Sequence, residues 1–382
     1  MNNFAKNRRN LVNKVEDADY ILIAGNGSLQ RSGDTAFKFR QDSNIIYFTG
    51  INDVPFLCLL IDVKHSKHYL VKPKKSKTEE IFEGQPDWVR LVEISGVDGV
   101  MPEADALRSL KNKKVYFNVA AKPLNFGVYT NPNRAKWQNK LSRLKAEVID
   151  IRPIIAEMRQ IKQQYEIDSI QRAITITNEV LDSVEKNISS FKTENQIINY
   201  ITAEFSMQGV EHAYQPIVAS GKNASVLHYL GSDKQLSNDT VLLIDVGAEY
   251  NGYSADISRT IIVGRNKQLE SLVRDIKNVQ ADVVSHIKPG LTFKDIQAET
   301  KKQLAKLITN HSIGNENDID KMFPHSFGHH LGLDTHDVAN YQDSLEPGMV
   351  ITVEPGIYSS SLGFGIRIED DVLITEHGAE VL

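Results

Sequence analysis

The sequence predicts an α/β domain over residues 1–154, followed by an α+β domain over residues 155–382 in which helices cover a curved antiparallel sheet. Three observations lead there. At 382 residues the chain is long enough for two cores. Its first 150 residues alternate short β-branched runs with helical ones, an α/β pattern. Beyond two long helices, strand-like runs dominate, and acidic side chains recur in them at spacings that place them on common faces.

The elements follow in order. ADYILIAG, NIIYFTGI, PFLCLLIDV, KHYLVKP and KVYFNV are rich in β-branched and aromatic residues and end in turn residues, so each is expected as a strand. EEIFEG, EADALRSL and RAKWQNKLSRLK between them are expected as helices. Residues 146–160 are expected as a last strand and then a linker. A long helix over about 162–188 follows, with Ile167, Ile170, Ala173, Ile174, Val180 and Leu181 at helical spacing. Thr193-Glu194-Asn195-Gln196 reads as a capping box opening a second helix that Gly209 stops. AYQPIVAS, TVLLIDVGAEY, GYSADISRTIIV, MVITVEPGIY and GIRIEDDVLIT then read as strands, interrupted by helices over about 266–287 and 293–309.

Composition narrows the function. The chain is 41% apolar and 24% charged with net charge −5, which gives no reason to expect a nucleic-acid partner. The basic run KPKKSK at 72–77 is broken by Pro73 and Ser76 and reads as a solvated loop. No apolar stretch approaches the roughly 18 residues that span a bilayer, so no membrane partner is expected. MNNFAKNRRN has no apolar core of a secretory signal. The single cysteine, Cys58, lies in the apolar run FLCLLIDV and reads as a small core hydrophobe. A reduced, cytoplasmic protein is expected. No GxGxxG or GxxxxGK[ST] string signals a phosphate-cradling loop.

The chemistry concentrates in the last third. Asp245 and Asp256 are 11 residues apart in strand-like runs joined by Asn251-Gly252. In an antiparallel hairpin an odd separation allows direct opposition, with Cβ atoms about 5 Å apart. Opposing 245 with 256 centres the hairpin one residue away from the Asn-Gly turn, so a bulge or wider loop is expected. Glu354 and Glu369 are 15 apart across SSSLGFG, again odd. Arg367 shares a face with Glu369, where it can orient a carboxylate or hold a substrate carbonyl. Asp370 falls on the opposite face, and Asp371 one step too far. His325, His329, His330 and His336 are four of eleven histidines yet fall within twelve residues. HExxH is absent, and Pro324 and Gly328 oppose a regular helix there. His329 is the expected nitrogen donor, and His330 has the weakest claim.

Four carboxylates and an imidazole at one point carry a prohibitive charge cost unless cations cancel it. Asp245, Asp256, His329, Glu354 and Glu369 are therefore expected to hold two divalent metal ions and to define a two-metal hydrolase. An oxygen-rich set with one imidazole favours Mn²⁺, with Co²⁺, Zn²⁺ and Fe²⁺ as alternatives.

At these residues the chain resembles a known family. LIDVGAEYNGYSADISRT, HSFGHHLGLDTHD, TVEPGIY and GIRIEDD are similar in order and spacing to the motifs of the pita-bread metallopeptidases, which include methionine aminopeptidase, prolidase and aminopeptidase P. RSGDTAFKFRQDSNIIYFTGIND resembles the N-terminal domain of the aminopeptidase P branch. The resemblance implies a pita-bread catalytic domain after residue 154 and removal of the first residue from peptides with proline second, by a hydroxide bridging two metals. It implies that Asp256 and Glu369 bridge both metals, that Asp245 completes one shell, and that His329 and Glu354 complete the other. By the same likeness Glu354 moves protons, His228, His325 and His336 stand on the substrate side, and Arg367 is the arginine before the last ligand. A homodimer or homotetramer is implied too. Two other readings stay open: a prolidase restricted to Xaa-Pro dipeptides, and a non-catalytic binding relative, which would have lost metal ligands that are all in place here.

Overall fold

A computed structural model describes residues 2–120, 130–231, 234–236 and 238–382. The chain forms two compact units, Met1–Met158 and Arg159–Leu382.

In the first unit a six-stranded mixed sheet runs, edge to edge, through Gly99–Pro102, Lys67–Lys72, Cys58–Asp62, Tyr20–Ala24, Lys114–Phe117 and Glu147–Asp150. Leu22, Cys58, Leu60 and Phe117 are buried in a core shared with Trp137 and Leu141 of the helix Pro132–Arg143. Burial pushes the Cys58 thiol far up, as expected of an inert core hydrophobe.

Two expectations fail here. Residues 44–51 are not a strand, because Ser43–Thr49 is helical. Asp42 caps it by accepting from the Asn44 N–H at 3.0 Å, and Gly50 closes it at φ 70°. Its Ile45, Ile46, Tyr47 and Phe48 are all buried, so no polar face marks the helical period. The expected linker after residue 150 is also a helix, Arg152–Gln160. Pro153 sits in its first turn, where a missing N–H costs nothing, and the Asp150 carboxylate accepts from the Arg152 N–H at 3.0 Å.

The second unit packs the helices Gln164–Lys186, Glu194–Met207, Lys267–His286 and Phe293–Asn310 with antiparallel strands. Leu243, Ile276, Val283, Phe327, Ile351 and Ile366 share its core. Thr193 caps the Glu194 helix, but Gln196 reaches back to the Lys192 N–H at 2.6 Å, one residue before the cap.

Two ribbons carry the acidic residues. In the first, Asp245 faces Ser258, Glu249 faces Ser254 and Tyr250 faces Tyr253. This single frame centres on Asn251-Gly252. Both turn residues are left-handed, at φ 52° and 84°, the signature of a two-residue type I′ turn. The expected slip and bulge are absent from this frame. Asp245 and Asp256 are diagonal neighbours on one face, rather than directly opposed. In the second ribbon Val353 faces Asp370 and Gly356 faces Arg367, so the frame between them sets Glu354 opposite Glu369.

Candidate metal centre

The ribbons meet at Ser258, which bridges to Glu369: the Glu369 N–H donates to the Ser258 carbonyl at 3.1 Å. His329 arrives on an extended segment pinned beside the strand Val350–Val353. Its N–H donates to Thr352 Oγ1 at 3.1 Å, and its carbonyl accepts from the Thr352 N–H at 2.8 Å. Glu354 follows, its N–H on the Phe327 carbonyl at 2.7 Å.

Asp256, His329 and Glu369 each offer a donor atom, and these atoms lie within 4.8 Å of one another. The His329 Nε2 is 3.3 Å from Asp256 Oδ2 and 3.8 Å from Glu354 Oε1. His329 Nδ1 lies 3.0 Å from the His330 carbonyl, which holds a proton there and turns Nε2 toward the acids. Asp245 stands slightly apart from this group. The Tyr214 hydroxyl joins it to Asp256, at 2.5 Å from Asp245 Oδ1 and 2.6 Å from Asp256 Oδ1. Arg367 Nη2 donates to the other Asp245 oxygen, and Arg367 Nε donates to Ser258 Oγ at 2.7 Å. Ser258 Oγ in turn donates to Glu369 Oε2 at 2.6 Å.

Two of the remaining histidines stand beside these ligands. His325 Nδ1 is 3.5 Å from Glu354 Oε2, and its Nε2 is 2.9 Å from the Tyr358 hydroxyl, which accepts from Arg367 Nη1 at 3.1 Å. The His336 ring stands edge-on to that of His329, centroids 4.2 Å apart. His228 is exposed, and a charge on it would press on both His325 and His336. His330 points away: it is buried against Phe293 and Tyr341.

Sequence reasoning missed several supports. Tyr214 carries no motif and is legible only once the fold brings it beneath two aspartates. The sequence sets Asp371 one step too far along its strand, yet it is buried and accepts from the Asp256 N–H at 3.0 Å, and its second oxygen has no partner among the described residues. Asp337, next to His336, is buried and takes Arg159 Nη2 at 2.5 Å and Lys162 Nζ at 3.2 Å, which ties the His336 loop to the start of this unit.

The electrostatics match a site built for cations. Burial raises Glu354 to about 7, despite His329 and Arg367 nearby. Burial, then the charges of Asp256 and Glu354, push Glu369 well above the carboxylate range. Burial also raises Asp245, although Arg367 opposes it. Burial lowers His329, but the Asp256 hydrogen bond and the Glu354 charge prevail and lift it to about 9. Without cations these groups hold protons to limit their repulsion. A cluster that binds protons this strongly, with an imidazole nitrogen turned toward Asp256 and Glu354, fits divalent ions displacing those protons.

The cluster is a carboxylate-rich candidate metal centre on an antiparallel scaffold. Residues 168–376 match the family described as metallopeptidase family M24, and residues 4–116 match the aminopeptidase P N-terminal domain. The chain belongs to the M24 metallopeptidases. An Xaa-Pro aminopeptidase of Escherichia coli (strain K12) is 31% identical over 99% of this chain and 93% of its own length. An Xaa-Pro dipeptidase of Pyrococcus furiosus is 35% identical, over 60% of this chain and 64% of its own. The solved structure of E. coli aminopeptidase P with the inhibitor Pro-Leu has a TM-score of 0.83 at 29% identity, covering 99% of this chain and 94% of that one.

Proposed function

We propose that this chain is a metal-dependent aminopeptidase that releases the first residue from peptides with proline in second position. One observation carries the reading: the aminopeptidase relative matches along both units, whereas the dipeptidase relative leaves out two-fifths of the chain. The functional domains are taken as 1–154 and 155–382.

Asp256 and Glu369 would bridge two divalent ions, Asp245 would complete one shell, and His329 and Glu354 the other. Mn²⁺ suits this oxygen-rich set best. When bound, such ions acidify a shared water and polarise the scissile carbonyl. The protein supplies the rest. Asp245 offers its charge to the free α-amino group of the substrate, and Arg367 and Tyr214 hold that carboxylate in place. Glu354 carries a proton to the leaving proline nitrogen. His228 and His336 hold the developing oxyanion or the flanking carbonyl. His325, its pKa lowered to about 3 by burial and by Arg367, stays neutral and holds the Tyr358 hydroxyl on the substrate side. The active species is read as a cytoplasmic homodimer or homotetramer.

The test is a panel of Xaa-Pro dipeptides and Xaa-Pro-Yaa tripeptides, each assayed with Mn²⁺, Co²⁺ and Zn²⁺. Turnover of tripeptides with release of free Xaa supports the aminopeptidase. Turnover confined to dipeptides makes the protein a prolidase, and no turnover with any metal rejects both.

A further inference from the structure

Beneath the His228 segment lies an acid that the chemistry above does not use. Glu194 opens the helix Glu194–Met207 and is fully buried. A buried carboxylate persists only if its oxygens are satisfied, and among the described residues its donors come from one stretch of chain. Glu194 Oε1 accepts from the Ser220 N–H at 2.7 Å, the Ser220 hydroxyl at 3.0 Å and Asn223 Nδ2 at 3.2 Å. Glu194 Oε2 accepts from the Tyr229 hydroxyl at 3.0 Å, which itself receives Asn223 Nδ2 at 2.7 Å.

These donors bracket His228. Ser220 ends the strand Ile217–Ser220, Asn223 lies in the short 3₁₀ turn Gly221–Ser225, and Tyr229 is the next residue after His228. From another side the same stretch presses on the strand Phe364–Arg367. A Cβ at Gly365 would stand 1.8 Å from the Ala224 carbonyl oxygen, so only glycine admits that approach. This loop has a buried acid fastening it before and after the histidine.

The structure assigns Glu194, we infer, as the positioning residue of His228: it holds residues 220–229 so that the imidazole meets the substrate in one place. This rests on the substrate-side reading of His228 given above. An acid is required because every partner is an N–H or O–H donor. A glutamine would turn an amide N–H₂ toward Ser220 or toward a Tyr229 hydroxyl that already takes a donor from Asn223.

The experiment uses the full-length, Mn²⁺-loaded protein and an Xaa-Pro-Yaa peptide. His228→Ala is expected to lower kcat/KM about a hundredfold, as loss of an oxyanion donor does. Glu194→Gln and Tyr229→Phe are each expected to lower it about tenfold, the loss of one buried hydrogen bond, at unchanged metal content. Amide exchange should quicken within residues 220–229 and nowhere else. In the His228→Ala background either second change should cost less than about twofold, because residues acting through one group are not additive. Full additivity there, or unchanged exchange in the loop, overturns the role of Glu194 while leaving His228 standing. A His228→Ala protein of undiminished activity overturns the reading of His228 itself. If Glu194→Gln does not fold, Tyr229→Phe carries the same test.

Discussion

The two acidic ribbons solve one problem with different geometry. In the second, the frame sets Glu354 directly opposite Glu369. In the first, Asp245 faces Ser258 instead, and Asp256 lies diagonally across. A shared face is a matter of parity alone, and both ribbons keep it. The diagonal leaves room for the Tyr214 hydroxyl to donate between the two aspartates. Among the described residues no hydroxyl donates to both opposed glutamates. Glu354 leans on His325 and His329, and Glu369 on Ser258. The diagonal pair is thus braced by protein donors, while the opposed pair depends more on cations.

The sharpest way to break the comparison is to remove one central acid from each ribbon. Asp256→Asn and Glu369→Gln are each expected to lose metal and to lower kcat/KM by more than about a hundredfold, beyond what loss of a supporting partner costs. Metal content by elemental analysis and turnover of an Xaa-Pro-Yaa peptide check it. Retained turnover in either variant rejects the bridging role for that ribbon.

Removing the metal instead of an acid sharpens the contrast through pH. Glu354 at about 7, Glu369 well above the carboxylate range and His329 at about 9 all bind protons more tightly folded than unfolded. The folded state then holds more protons, so stability falls as pH rises. His325 and His336, lowered to about 3 and 4 chiefly by burial, act the opposite way only below their ordinary value near 6.5. Above that the sign is unmixed. From pH 7 to 9 the melting temperature of chelator-stripped protein is expected to drop, and that of Mn²⁺-loaded protein to change less. Parallel curves for the two forms would contradict it.

The smallest effect tests the brace in the first ribbon. Tyr214→Phe removes one hydroxyl shared by Asp245 and Asp256 and is expected to weaken metal affinity about tenfold. A titration of stripped protein with Mn²⁺ measures it. An affinity equal to the parent's would mean that the diagonal needs no mediator.

Much of this was legible in the sequence, for identifiable reasons. Face-sharing acids follow from odd separations across a turn, and Asn251-Gly252 fixes its turn by demanding two left-handed residues. The register of the first ribbon was misread by giving direct opposition more weight than the turn, which is the stronger local constraint. The run 44–51 was misread because a helix buried on all sides shows no helical period. Tyr214, Asp337 and Glu194 were invisible for another reason: their partners lie tens of residues or more away, and nothing local marks a hydroxyl or an acid as buried. Glu194 even passes for an ordinary acid in a helix's first turn.

The most direct measurement is the number of divalent ions bound per chain, by elemental analysis and calorimetric titration of stripped protein with Mn²⁺ at pH 7. The account predicts two, bound with release of protons from the buried acids, and fewer than one in Asp256→Asn. Binding of no ion or of a single one by the parent chain, or uptake without proton release, would contradict it.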